Sequence, residues 1–295
     1  MPFKSCRSDL LPTHEGIWRT RSTQVYNAKV ASKQRVQNTV PMMRSVEHQS
    51  PRQNRLISTF PADVYDRLRP NLLPVALSLG EVVYEPGGRP EYVYFPTGAV
   101  VSLLYTMQDG ATAEVGMTGN DGIVGVALFL GGDTTPNRAI VQIAGGAFKM
   151  GARVLQEEFA RGGPVQLLLL RYTQALITQI SQTAVCNRLH AVEKRLCRWL
   201  LLSHDRVQSD ELAMTHEFIS NMLGGRRESV TVAAARLQDA GLINYSRGHI
   251  TILDRAGLES AVCECYRIVR NEFDRLLGCQ RSDLRMWPEA GREAG

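Results

Sequence analysis

The chain has 295 residues, 44% hydrophobic and 21% charged. This is ordinary globular composition; it excludes a wholly disordered, collagenous or coiled-coil polypeptide and, at roughly 100–200 residues per domain, predicts two domains. The formal net charge of +5 points to an anionic partner such as nucleic acid or a membrane surface, but no apolar run reaches the ~18 residues of a membrane span, so no membrane partner is expected.

All of the net charge lies in residues 1–41, where seven basic side chains (Lys4, Arg7, Arg19, Arg21, Lys29, Lys33, Arg35) accompany two acidic ones (Asp9, Glu15). This segment is rich in Ser, Thr, Gln and Asn and lacks an apolar period. It cannot bury enough surface to offset the entropy of ordering, and residues 1–54 are expected to be a disordered basic tail. Met42 and Met43 are an alternative translation start that would leave residues 1–41 outside the native protein. The N-terminus has no apolar leader, and six cysteines in a chain of this length point to reduced thiols in the cytoplasm.

From Arg55 to Arg69 the spacing of Leu56, Phe60, Val64 and Leu68 predicts one amphipathic helix ended by Pro70. Short β-rich runs follow at Val75–Leu79, Val82–Tyr84, Tyr92–Phe95, Ala99–Tyr105, Thr112–Gly116 and Ala139–Ile143. Gly, Pro, Asn and Asp separate them, and Asp109-Gly110 is the clearest hairpin turn. Such regular spacing predicts a small antiparallel barrel or roll over residues 55–163. Ile123 to Leu130 reads as a further strand or a short buried segment.

After Gly162-Gly163-Pro164 the texture becomes helical. Residues 164–189 read as one long helix, with Leu169, Leu176, Ile180 and Ala184 roughly one or two turns apart and Thr173 and Thr183 interrupting the pattern. A helix that long needs cover for its apolar stripe. A second copy of the chain is the simplest supplier, and packing only on its own β-domain is the alternative. A second helix is expected from His190 to Leu202, with Val192, Leu196, Trp199 and Leu200 as its apolar face.

Thr215 to Ile252 is the most informative stretch. Ile219, Leu223, Val230 and Ala233 are spaced as the shared core of a helix-turn-helix, with small Ser220 for close approach, Gly224 for the turn and Thr215 as the cap of the first helix. The second helix opens with Arg226, Arg227, Glu228 and Ser229, with Thr231 and Val232 in its next turn and Arg236 farther along. Arginine can contact guanine bidentately, glutamate can accept from cytosine, and serine or threonine can hold phosphate. Leu242–Tyr245 and His249–Ile252 flank Ser246-Arg247-Gly248 as a β-hairpin wing that brings Arg247 to the DNA backbone. The residues proposed to touch DNA are thus Thr215, Arg226, Arg227, Glu228, Ser229, Thr231, Val232, Arg236 and Arg247.

The order of β-roll, long helix and winged helix-turn-helix, with Arg227-Glu228-Ser229-Val230 and Leu237-Gln238-Asp239-Ala240-Gly241-Leu242-Ile243, resembles the Crp/Fnr family of bacterial transcription regulators over about residues 55–260. The resemblance implies an α+β fold. A cyclic-nucleotide-binding-like sensor would span 55–163, a dimerisation helix 164–189, a winged helix-turn-helix 190–260, and a C-terminal helix and tail 261–295. It implies a homodimer on a pseudo-palindromic double-stranded operator, an effector site in the β-roll, and RNA polymerase as a partner. Arg227 and Glu228 match base-reading positions of one branch, whereas Val232 replaces a further base-reading arginine, so the operator is expected to differ.

The effector positions implied by the resemblance are Gly125, Val126, Asn137 and Arg138. Val126 stands where cyclic-nucleotide binders have a ribose-binding glutamate, and Asn137-Arg138 replaces Arg-Ser with the cation displaced by one position, so cyclic AMP is not the expected effector. The family's iron-sulfur branch needs four thiolates, most of them ahead of the β-roll, where only Cys6 lies. Cys263-x-Cys265 with distant Cys279 is a weak metal or redox signal without a companion histidine pattern, so buried, inert thiols and no cofactor are expected. A competing reading is a small-molecule-binding module whose helical domain contacts other proteins. Catalysis is not expected, because His190-x-x-Glu193 has no accompanying nucleophile or metal set.

Overall fold

A computed structural model describes residues 49–207 and 209–278. The expectations for the basic segment up to residue 48, for a start at Met42 or Met43, and for Cys6 and Cys279 lie outside these residues.

The folded chain begins earlier than residue 55. Residues Pro51–Gln53 form a 3-10 turn, and Asn54 is fully buried, its amide donating to the carbonyls of Pro96 and Gly122 at 2.8 Å. Residues 49–54 are therefore part of the β-domain, not of a tail. The helix expected over 55–69 is two, α1 (Arg55–Ser58) and α2 (Ala62–Leu68), because Pro61 cannot continue α1. Its apolar face survives the break: Leu56, Phe60, Val64 and Leu68 are all buried.

Seven strands follow: β1 (Leu73–Leu77), β2 (Val82–Tyr84), β3 (Tyr92–Pro96), β4 (Val100–Thr106), β5 (Thr112–Thr118), β6 (Arg138–Ile143) and β7 (Gly145–Gly151). They form two antiparallel sheets, β1-β7-β3 and β2-β6-β4-β5. Strand β7 is absent from the sequence expectation because three of its seven residues are glycines, which carry no strand signal. It is nevertheless the central strand of its sheet. Asp109-Gly110 does turn the β4–β5 hairpin, with Gly110 at φ +86° and Asp109 accepting from the Ala111 amide. Residues 123–130 hold a bridge between Val124 and Tyr94 and a 3-10 turn, Val126–Leu128, rather than a strand.

Helix α3 (Ala152–Ala160) leads to α4 (Gly163–Leu189), the long helix. The threonines that interrupt its pattern are absorbed by bonding back one turn, Thr173 to the Leu169 carbonyl and Thr183 to that of Gln179. Leu168, Tyr172, Ala175, Gln179 and Cys186 face the interior. Gly122 allows that packing, since a Cβ there would lie 2.0 Å from the Tyr172 ring.

The remaining elements are α5 (Val192–His204), β8 (Glu211–Ala213), α6 (His216–Leu223), α7 (Arg227–Asp239), β9 (Ile243–Ser246), β10 (His249–Ile252), α8 (Arg255–Ala261) and α9 (Glu264–Leu277). The C-terminal helix α9 lies along α4, with the Phe273 and Tyr172 rings edge-on at 6.3 Å. Sheet and helices share a single apolar core.

Buried polar groups join the β-roll to α5 and the turn that follows it. Glu114 of β5 accepts from the Trp199 indole at 3.1 Å, Gln142 of β6 donates to Ser203 at 3.2 Å, and Arg206 pairs with Asp121 at 2.6 Å. Burial pushes the Glu114 carboxyl up to about 7, against the opposing pull of the Ser102 hydrogen bond, the Arg198 charge and the Trp199 hydrogen bond. Proton counting explains why the neutral acid fits. The Ser102 hydroxyl is 2.6 Å from Glu114 Oε2 and 2.5 Å from Gln142 Oε1, and its one proton cannot serve two acceptors. With Glu114 protonated, the carboxyl donates to Ser102 and Ser102 donates to Gln142.

Candidate nucleic-acid interface

The helix-turn-helix forms as its sequence requires. Thr215 caps α6, its hydroxyl accepting from the Phe218 amide at 3.1 Å. Gly224 ends α6 at φ +58°, a left-handed conformation that favours glycine. Arg195 of α5 donates to the Leu223 carbonyl, tying the same end down. Ile219, Leu223, Val230, Ala233, Ala234 and Leu237 are buried between the helices, and Ser220 is buried at their close approach.

That packing leaves the N-terminal turn of α7 outward. Arg226, Arg227, Glu228 and Ser229 are exposed, as are Thr231 and Val232 in the next turn. Arg226, Arg227 and Glu228 form no ion pair among the described residues. Arg226 occupies the cap position without a side-chain cap bond, so the first amides of α7 keep their donors, and the positive end of the helix dipole faces out. The Thr231 hydroxyl donates to the Arg227 carbonyl at 3.0 Å. Arg236 sits in the last turn of α7, its exposed guanidinium 3.4 Å from Glu193 of α5.

The wing is three-stranded, in the order β8-β10-β9. Arg247 and Gly248 turn it at φ +50° and +83°, a backbone that places Arg247 at the exposed tip. Gln238 of α7 accepts from the Tyr245 amide at 2.8 Å and sets the wing against the recognition helix. Strand β8 was not legible in sequence, since three residues of mixed character carry no period.

Residues 194–261 match the family model of the Crp-like helix-turn-helix domain. Solved structures align over both domains. FixK2 from Bradyrhizobium japonicum aligns with TM-score 0.55 at 16% identity, covering 65% of this chain and 98% of that one. A Crp-family transcriptional regulator from Thermus thermophilus aligns with TM-score 0.53 at 19% identity, covering 63% and 95%. The c-di-GMP-responsive global regulator CLP of Xanthomonas campestris gives 0.51 at 18%, covering 65% and 99%. No curated protein matches the sequence. The chain carries a Crp-like helix-turn-helix on a Crp/Fnr fold.

The positions that the resemblance implies for an effector contact other groups of the chain. Arg138, the one cation among them, is held by Glu85 at 2.7 Å. Asn137 is buried and accepts from the Thr135 hydroxyl. At Gly125, with φ +109°, a Cβ would meet Val93 at 3.2 Å and Leu128 at 3.4 Å, and Val126 begins the 3-10 turn after it. The pair considered for catalysis does not meet: Glu193 bonds Arg236, while His190 faces Glu264 at 3.6 Å and Cys265 at 3.6 Å. No described helix is long and apolar enough to cross a membrane.

Proposed function

We propose that the protein is a transcription regulator that binds a pseudo-palindromic operator as a homodimer, reading bases with Arg227, Glu228 and Val232 and backbone with Thr215, Arg226, Ser229 and Arg247. The observation that carries this reading is the N-terminal turn of α7. Its apolar residues are consumed by the α6–α7 core, while its charged residues stand outward beside an unspent helix dipole.

The dimer is supported by the outer side of α4. Leu170, Ile177 and Val185 are exposed at successive two-turn intervals, opposite the residues that pack on the chain's own core. A dimer on a pseudo-palindromic operator requires two recognition helices about 34 Å apart, one turn of DNA. The Arg138–Glu85 pair supports an effector other than a cyclic nucleotide, because a phosphate would have to displace Glu85. RNA polymerase is the partner that such a promoter-bound regulator would meet.

Selection of bound sequences from randomised duplex DNA, using the full chain at moderate salt, tests the reading. The expected product is a pair of inverted half-sites with centres about 10 base pairs apart. Recovery of no enriched sequence, with and without added small molecules, refutes it.

A further inference from the structure

The end of α4 and the start of α9 bring together four side chains that the sequence holds far apart. Cys186 lies in the last turn of α4, and His190 is its C-terminal cap. Cys263 caps α9, and Cys265 lies in its first turn. The ligand atoms of all four lie within 4.8 Å of one another. The sulfurs of Cys186 and Cys263 are 3.7 Å apart, and Cys265 Sγ is 3.6 Å from His190 Nδ1.

These two separations match edges of a tetrahedron around one ion, and the rest lie within 4.8 Å. With Zn–S near 2.3 Å and Zn–N near 2.0–2.1 Å, tetrahedral angles place neighbouring sulfurs about 3.8 Å apart and sulfur and nitrogen about 3.6 Å apart. We propose that Cys186, His190, Cys263 and Cys265 form a closed Cys3His site for a single Zn2+ ion.

Two further features fit the ion. His190 turns its other nitrogen, Nε2, toward the Glu264 carboxylate at 3.6 Å, the carboxylate–histidine arrangement that orients a metal-bound imidazole. Binding releases three thiol protons to solvent and leaves a centre of net charge −1. Two buried cations flank it: Arg195 bonds Asn187 and Arg198 bonds Thr183, residues one position and one turn from Cys186 on α4. Both arginines are buried and neither forms an ion pair among the described residues. An anionic zinc centre would place a negative charge beside both.

The cluster also brackets the Crp-like domain. Cys186 and His190 precede the matched segment 194–261, and Cys263 and Cys265 follow it, so one ion would clasp both flanks of that domain at its junction with α4. With all four positions taken by protein, the ion holds structure and has no place for a substrate. This inference is independent of the DNA-binding reading.

The test uses the full chain, expressed with zinc, purified under reducing conditions and assayed by elemental mass spectrometry. About one zinc per chain is expected, and Co2+ exchanged into the site should show the intense visible bands of tetrahedral cobalt with thiolate charge transfer. Cys265→Ser and His190→Ala should each bind zinc at least tenfold more weakly. Glu264→Gln, which keeps every ligand, should weaken binding about tenfold. Cys197→Ser, at a buried thiol outside the cluster, should keep full zinc. If a ligand variant misfolds, competition of the folded wild-type chain against a chromophoric zinc chelator supplies the same reading. Folded wild type that takes up no stoichiometric zinc, an octahedral cobalt spectrum, iron with sulfide in place of zinc, or a Cys186–Cys263 disulfide in zinc-supplemented protein overturns the proposal.

Discussion

Replacing Glu114 by glutamine isolates the carboxyl buried between the β-roll and α5. In the unfolded chain it titrates near 4.5, and in the native protein burial raises it to about 7. Between those values the native state holds a proton that the unfolded state has released, so this group makes stability fall as pH rises. At 1.36 kcal/mol per pKa unit, its ionisation costs on the order of 3 kcal/mol at pH 8 and about 1 kcal/mol or less at pH 5. Glutamine preserves the hydrogen bonds of the neutral acid. Its amide can donate to Ser102 as the protonated carboxyl does, and its oxygen can accept from Trp199. Urea unfolding of wild type and Glu114→Gln at pH 5 and pH 8 should therefore give nearly equal stability at the lower pH and an advantage to glutamine of about 3 kcal/mol at the higher. Taking the difference between variants removes every other titrating group. An advantage that does not grow with pH, or a glutamine variant less stable at pH 8, would show that Glu114 is native as the carboxylate.

Three other outcomes follow from the same structure. Arg227→Ala should weaken binding to a selected operator by about 1–3 kcal/mol while leaving random-sequence affinity nearly unchanged, as measured by fluorescence anisotropy; equal losses on both would remove its base-reading role. Ile177→Glu places a charge in the exposed stripe of α4, and sedimentation should show monomer at concentrations where wild type is dimeric; an unaltered dimer would move the interface elsewhere. Gly122→Ala puts a methyl 2.0 Å from the Tyr172 ring, an overpacking cost of about 1–3 kcal/mol or more visible as a lowered melting temperature; an unchanged melt would show that Tyr172 can move aside at no cost.

How much was legible in the sequence divides by the range of the signal. Thr215, Gly224 and the buried spacing of Ile219, Val230 and Leu237 act within a few residues, and the helix-turn-helix was readable from them. The Asp109-Gly110 hairpin and the Arg247-Gly248 wing were readable for the same reason, since a turn demands its own φ angles. The break at Pro61 was present in the sequence but masked by an apolar period that continues across it. Strand β7 was hidden because a glycine-rich central strand takes its stability from its two neighbours and not from its own side chains. The placement of Arg236 was also beyond reach, because its partner Glu193 belongs to a helix 43 residues earlier.

The amino-acid sequence by itself determined the helix-turn-helix, its wing and most strands of the β-roll, all of which depend on residue identity at short spacing. Only the tertiary structure decided which distant groups meet. It spent Arg138 on Glu85, placed Glu114 beneath Trp199, and carried Cys186 and His190 to Cys263 and Cys265 across more than 70 residues. The physical reason is that a ligand set or a buried pair is defined by separations of a few ångströms. Packing of α9 along α4 sets those separations, and no local pattern encodes them.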